Sequence, residues 1–347
     1  MNVILEAEIF RTDRVAEYHG DLLALFGDCV RGRHTIAIEP SGKDAYRQWI
    51  DGESSVTRNM CESVLQKSVK LRAQRPGARE IRIADVAIAS WPDMRLPFSA
   101  ALGILHRPLQ LLLENGRNDA NFLRVITRLA VEFDLAELFD SGVVEFQTKG
   151  GIDENRKWLE TNGQIQKDAC RMWVMCDSDA KQAWADASGP KVPERLGEGA
   201  KKLGAICKTH KIPIHILHRR AIDNYVPLTL LEQRSLQHEK QVDVYKSFVG
   251  LTDEQRHHYN MKKGFLQDEK NPEYDQNVGN LYDGIDPVDR LRLERGFNLG
   301  RLGVAALFEE TQSNGQMKPL RVHEAWLFKD KPEAEARQIA EAIQELL

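Results

Sequence analysis

A chain of 347 residues is too long for one average domain and predicts two or three compact units. Hydrophobic residues make up 42% and charged residues 29%, ordinary proportions for a soluble globular protein, and no apolar run approaches the length of a membrane span. The net charge of −4 does not advertise a nucleic-acid binder, but it does not exclude one, because acidic metal ligands offset basic residues in the sum. The five cysteines are scattered and form no C-x-x-C pair, which argues against a disulfide framework or zinc knuckle and for a reducing cytoplasm. No signal peptide is legible: Asn2-Val3-Ile4-Leu5 soon meets Glu6 and Glu8.

Residues 1–105 read as a mixed α/β N-terminal region of unknown role. Segments 35–39 and 81–88 are short apolar or alternating stretches that predict strands. Between them Met60 with Val64, and Leu65 with Val69, have helical spacing, and Arg75-Pro76-Gly77 marks a turn.

Residues 106–227 have another rhythm. Pro108 precedes a strand, Leu109–Leu113, and a helix follows with Phe122, Val125, Ile126, Leu129, Ala130 and Phe133 on one face. A second strand, 143–146, runs to Thr148-Lys149-Gly150-Gly151, and a polar helical connection over 154–167 leads to the strand Met172–Cys176. Pro193 opens a helix with Leu196, Ala200, Leu203 and Cys207 on one face, before a last strand over 212–217. Strands alternating with helices predict a parallel sheet with crossover helices, an α/β fold. Residues 228–347 read as mostly helical, broken by a polar loop at 271–286. The final helix has Asp330 as N-cap, Pro332 in its first turn, and Ile339, Ile343 and Leu346 facing inward.

Acidic residues stand where the central strands end. Leu109–Leu113 runs into Glu114, Met172–Cys176 into Asp177-Ser178-Asp179, and the last strand leads to Arg219-Arg220-Ala221-Ile222-Asp223-Asn224-Tyr225. In an open α/β sheet the carboxyl ends of the strands line the ligand crevice. Carboxylates gathered there repel one another unless a cation neutralises them, and clustered hard oxygens suit Mg²⁺ or Mn²⁺. Each residue also has a plainer reading. Glu114 could be a solvated acid at a strand end, Asp119 an N-cap or first-turn residue, and Asp177-Ser178-Asp179 an Asx-turn. An acid followed by Gly and Asp after one strand, with Asp-x-Asp after a later one, is much rarer than either alone.

On these motifs residues 106–227 resemble the TOPRIM fold, whose pattern is a Glu after the first strand, usually in E-G-x-x-D, and D-x-D after a later strand. The segment Arg219–Tyr225 resembles the R-R-x-I-E-N-Y stretch of TOPRIM domains in OLD-type (overcoming lysogenisation defect) endonucleases of bacterial anti-phage defence. The resemblance implies that Glu114 is a shared metal ligand and acid–base group, that Asp177 and Asp179 hold a first ion, and that Asp119 and Asp223 help hold a second. Two cations about 4 Å apart can activate water and neutralise a scissile phosphodiester. The chain departs from the pattern twice: an extra residue separates Glu114 from Gly116, and Ala221 and Asp223 stand where relatives often have Glu. A shorter carboxylate reaches less far, so the first ion is better specified than the second.

Arg219 and Arg220 could clamp phosphate in bidentate fashion or pair with the acidic cluster. Lys149 could meet a phosphate at its Lys-Gly-Gly turn or mark an ordinary glycine turn. His257-His258 and Lys262-Lys263 could touch a nucleic-acid backbone, although a solvated helix end explains them more simply. The chain has no G-x-x-x-x-G-K-[S/T] motif, so a nucleotide-hydrolysing sensor of the OLD type would be a separate subunit. The expectation is a metal-dependent nuclease or nickase, acting on DNA rather than RNA, with flanking regions for substrate, partner or a second copy. The rival enzymes fit less well: a TOPRIM primase would usually carry a zinc-binding module, which the cysteine spacing does not offer, and a topoisomerase needs a Tyr nucleophile on a further large domain, for which the chain is short. The rival of another class is a non-catalytic regulatory subunit of the same fold.

Overall fold

Two four-stranded parallel sheets share one strand order. The computed structural model describes residues 1–30, 34–74, 78–130, 135–184, 191–270, 278–299, 308, 312–313, 316–317, 326 and 332–347. The first sheet contains β1 (Asn2–Leu5), β2 (Thr35–Ile38), β3 (Glu80–Ile83) and β4 (Arg95–Leu96) in the order β2-β1-β3-β4. Helices α1 (Thr12–Val30), α2 (Lys43–Asp51), α3 (Ser55–Gln74) and α4 (Phe98–Leu105) accompany it. The second sheet contains β5 (Leu109–Leu113), β6 (Val144–Thr148), β7 (Met172–Cys176) and β8 (Ile214–Ile216) in the order β6-β5-β7-β8. Its helices are α5 (Asn118–Thr127), α6 (Leu135–Asp140), α7 (Ile152–Thr161), α8 (Ile165–Ala169) and α9 (Glu198–Thr209).

In each sheet the chain passes from the first strand to one neighbour and then crosses back to the other. Such a reversal opens a crevice at the carboxyl ends of the two central strands. In the first sheet that crevice is closed from within: Glu6, just past β1, accepts from Arg95 Nε at 2.9 Å and Nη2 at 2.7 Å, and Arg82 Nη1 lies 3.8 Å away. In the second sheet the same position carries acids.

The strands Leu109–Leu113, apolar but for the half-buried Gln110, and Met172–Cys176 are buried on both faces, as parallel strands between helical layers require. Side chains alternate between two cores. Leu111, Leu113, Trp173 and Met175 join α5 and the C-terminal region, whereas Leu112, Met172, Val174 and Cys176 join α7 and α9 through Leu159, Leu203 and Cys207. The C-terminal region is largely helical: α10 (Leu228–Ser235), α11 (Glu239–Gly250), α12 (Asp253–His258), α13 (Gly264–Glu269), Pro287–Arg292 and Glu333–Gln344, with a small antiparallel pair, Gln312–Ser313 and Gln316–Met317. Among the described residues no helix is long and apolar enough to cross a membrane.

Several expected bounds shift for local reasons. The expected strand 81–88 ends at Ile83, because Asp85 is drawn to Arg14 (2.6 and 2.8 Å) and Tyr18 (3.0 Å) on α1. The connection 154–167 is two helices, parted where Asn162 donates to Asp168 (2.8 Å) and accepts from the Gln164 N–H (3.0 Å). Pro193 opens only a short 3-10 turn, Pro193–Arg195, and α9 begins at Glu198, after Gly197 has taken an extended conformation against Asp179. Pro332 stands just before the final helix, and Ile339, Ile343 and Leu346 are buried as expected. Phe133, Asp330 and part of the 271–286 loop lie outside the described residues.

Candidate metal centre

Glu114 leaves β5 and Asp177 leaves β7, the two strands that flank the crossover reversal. A crevice of about 570 Å³ opens there, lined by Glu114, Asp177, Asp179 and Asp223 together with Lys181, Lys262, Lys263 and Lys270. Its walls are tied by backbone contacts. Asp177 Oδ1 accepts the Ile222 N–H at 3.1 Å, which fixes the 3-10 turn Ile222–Tyr225 and with it Asp223. Ser178, fully buried, points away from the acids and donates to the Arg219 carbonyl at 2.8 Å. Asp179 N–H donates to the Arg220 carbonyl at 2.9 Å, with Asp179 in the left-handed region (φ 49°). A Cβ at Gly197 would fall 2.6 Å from the Asp179 Cβ, so the chain needs glycine where α9 approaches the Asp-Ser-Asp loop.

Asp119 combines the structural and the electrostatic role. Its carboxylate accepts the Asn115 N–H at 2.8 Å and so shapes the turn after β5, from the first turn of α5. It does not line the crevice, yet it lies close enough to Asp223 and Lys262 for their charges to act on it.

Burial and neighbouring carboxylates raise Glu114, Asp119 and Asp177 above the ordinary carboxylate range. Burial, then Asp179 and Asp119, push Glu114 up to about 7, against Lys262 and a backbone hydrogen bond from Asp177. Burial takes Asp119 to about 6, against hydrogen bonding from the Asn115 backbone. Asp177 is raised well above the ordinary carboxylate range by burial and by Glu114, Asp119, Asp179 and Asp223. Two carboxylate oxygens, Glu114 Oε2 and Asp223 Oδ1, are buried without a hydrogen-bond partner among the described residues. Buried acceptors of this kind are costly unless something satisfies them. An all-oxygen donor set with two orphaned carboxylate oxygens fits a hard divalent ion.

Lys262 bridges the crevice, its Nζ 2.8 Å from Asp223 Oδ2. Burial opposes its charge, but Asp223, then Asp177 and Glu114, raise its pKa above the usual lysine value. No periodicity or motif marks this lysine in the sequence; only the fold returns it to the strand ends.

The other basic candidates divide. Arg220 lines the crevice, but its guanidinium is held in a buried bidentate pair with Asp268, 2.7 Å from Oδ1 on one arm. Arg219 stacks on Tyr225 at 4.7 Å and donates to the Asn224 carbonyl at 2.7 Å. Lys149 lies beside Trp158, 4.5 Å from the ring centre, and does not line the crevice. His258 is no solvated helix end: it is buried, with Nδ1 3.1 Å from the Ala180 carbonyl, and burial lowers its pKa to about 4.

Next to the Asp223 turn lies a second, mixed group that could hold a metal ion: the half-buried His215 and His218 and the buried Glu335. Glu335 Oε1 is 2.9 Å from His215 Nε2 and also accepts the His218 N–H at 2.9 Å, while Oε2 accepts the Tyr225 hydroxyl at 2.5 Å. Burial works against the charge on Glu335, but His215, His218 and Tyr225 outweigh it and bring the carboxyl down to about 2.

No protein-family model matches the chain, and no curated protein or solved structure is significantly similar to it.

Proposed function

We propose that the protein hydrolyses phosphodiester bonds of nucleic acid with a divalent metal held at the acidic crevice, in the manner of a TOPRIM nuclease or nickase. One observation carries this reading: Glu114, Asp177, Asp179 and Asp223 converge at a strand-order reversal, and two of their buried oxygens have no hydrogen-bond partner among the described residues. Mg²⁺ or Mn²⁺ held by these four residues would supply charge neutralisation and a reactive water at a phosphodiester. The chain's own groups do the rest. Asp177, through Ile222, positions the Asp223 turn. Glu114, poised about pH 7 by burial and its acidic neighbours, can take or give a proton at the working pH. Lys262 can release Asp223 and meet a phosphate oxygen, and Lys181, Lys263 and Lys270 edge the crevice with positive charge for a polyanion. DNA as the preferred substrate, and a separate nucleotide-hydrolysing sensor, are proposed from the family resemblance alone.

A second reading, a regulatory subunit that binds no metal, draws on the Lys262–Asp223 pair, since an ammonium can neutralise part of the acidic cluster. Nicking of supercoiled plasmid in Mg²⁺, Mn²⁺ or EDTA, beside calorimetric Mn²⁺ titration, separates the two. Metal-dependent nicking lost in Asp177→Asn supports the nuclease. Absence of both cleavage and Mn²⁺ binding in the wild type supports the regulatory subunit.

A further inference from the structure

We propose that His215, His218 and Glu335 form a second cation site, for a borderline ion of the Zn²⁺ class, which clamps the C-terminal helix to the second sheet. The site stands apart from the phosphodiester reading and does not depend on it. Two imidazoles and one carboxylate are softer, taken together, than the all-carboxylate crevice, and imidazole nitrogen favours Zn²⁺ and its neighbours over Mg²⁺.

The spacing fits. A tetrahedral ion with bonds of 2.0–2.1 Å holds its ligand atoms about 3.3 Å apart. His215 Nε2 lies 2.9 Å from Glu335 Oε1, and His218 Nδ1 lies 3.7 Å from Glu335 Oε2. All three ligand atoms lie within 4.8 Å of one another, so the widest separation would close by up to about 1.5 Å, a side-chain adjustment, to surround one ion. Two aromatic rings flank the ligands: the Trp173 ring lies nearly parallel to His215 at 6.4 Å, and Trp184 stands edge-on to His218 at 6.2 Å. With three protein ligands, water would take the fourth position. Tyr225 holds the carboxylate from outside by its hydroxyl, the arrangement that orients a ligand and tunes its basicity. For an ion to bind His215 Nε2, any proton on that nitrogen must leave it, either to Nδ1 by a change of tautomer or to solvent.

The site reaches the acidic crevice through one residue. Tyr225, which donates to Glu335, closes the turn that carries Asp223, and its hydroxyl also accepts the Arg219 N–H at 3.1 Å. An ion here would fix strand β8, the Asp223 turn and the final helix against one another.

The test uses the full chain, stripped with chelator and dialysed against Co²⁺ or Zn²⁺ in excess Mg²⁺, which occupies hard-oxygen sites. The expected result is about one Co²⁺ per chain with the strong visible absorption of a four-coordinate ion, quenched tryptophan fluorescence, and a higher Tm with Zn²⁺. The signal should survive Asp177→Asn and disappear in the double variant His215→Gln, His218→Gln. If the double variant fails to fold, His218→Ala, which leaves the His215–Glu335 contact in place, should weaken Co²⁺ binding on the order of 100-fold. A wild type that takes up neither ion, a Co²⁺ band that survives the histidine substitutions, or one lost in Asp177→Asn overturns the site. An unchanged Tm with the ion bound overturns the clamp.

Discussion

The Ile222 N–H donates to Asp177 Oδ1 at 3.1 Å, so the acid after β7 and the turn after β8 form one unit. Asp177 thus has two duties, one as a charge in the crevice and one as an acceptor that the neutral amide of asparagine can also serve.

Asp177→Asn and Asp177→Ala should therefore part company. Asparagine keeps the contact with Ile222 and removes one of several mutually repelling acids, so the metal-free protein should gain about 0.5–2 kcal/mol, the range typical when a strained functional site is relaxed. Alanine also loses the acceptor, and its gain should be smaller or reversed. Urea unfolding in EDTA checks the order; Mn²⁺ affinity should fall in both.

Gly197→Ala brings a methyl group against the Asp179 Cβ, with 2.6 Å of room, and must displace the Asp-Ser-Asp loop or the start of α9. Mn²⁺ affinity should drop on the order of 10- to 100-fold, as for lost support of metal ligands, with far-UV circular dichroism retained. Unaltered affinity would show that Asp179 does not need this approach.

Arg220 and Asp268 are both buried, so removing one partner strands the other charge. Arg220→Leu and Asp268→Asn should each cost about 3–5 kcal/mol in urea unfolding, and the double variant Arg220→Leu, Asp268→Leu much less than their sum.

The two acid clusters should bend the pH dependence of stability in opposite directions. Glu335 titrates at about 2, below its ordinary value of 4.5, so its contribution is complete above about pH 4.5 and is lost as pH falls toward 2. Glu335→Gln should cost a few kcal/mol at neutral pH, on the order of 1.4 kcal/mol for each tenfold change in proton affinity, and progressively less toward pH 2. Glu114 and Asp119 are raised, to about 7 and about 6, so the folded state binds their protons more tightly than the unfolded chain does. In EDTA stability should rise as pH falls from about 7 toward 4.5, and saturating Mg²⁺ should flatten that slope. Denaturant midpoints across pH 2–8 read both effects.

The second sheet is legible in the sequence because its central strands are apolar at every position but Gln110. Leu109–Leu113 and Met172–Cys176 begin and end where expected, and the acids beyond them fall in one crevice. The first sheet is harder to see. Its strands are four residues or fewer; the apolar pattern marks β2 and β3, at the expected stretches 35–39 and 81–88, but not β1 or the two-residue β4, and the topology that repeats the second sheet is set by tertiary pairing. Long-range partners leave no local trace: Glu335 meets His215 across 120 positions and Arg220 meets Asp268 across 48. Lys262 stands in the sequence as half of a Lys-Lys pair that could touch a phosphate backbone or lie at a solvated helix end; its pairing with Asp223 is not legible there, because it depends on how the C-terminal helices fold back.

Glu6 and its arginines give the molecule a built-in reference. The two sheets have the same strand order, but at the reversal point of the first, Arg95 already occupies the carboxylate, whereas in the second one oxygen each of Glu114 and Asp223 has no hydrogen-bond partner among the described residues. A divalent ion should then slow amide hydrogen exchange in the loops after β5, β7 and β8 and leave the loops after β1 and β3 exchanging at their metal-free rates. The quiet half would report any nonspecific salt effect, and the difference between halves would isolate what the ion does.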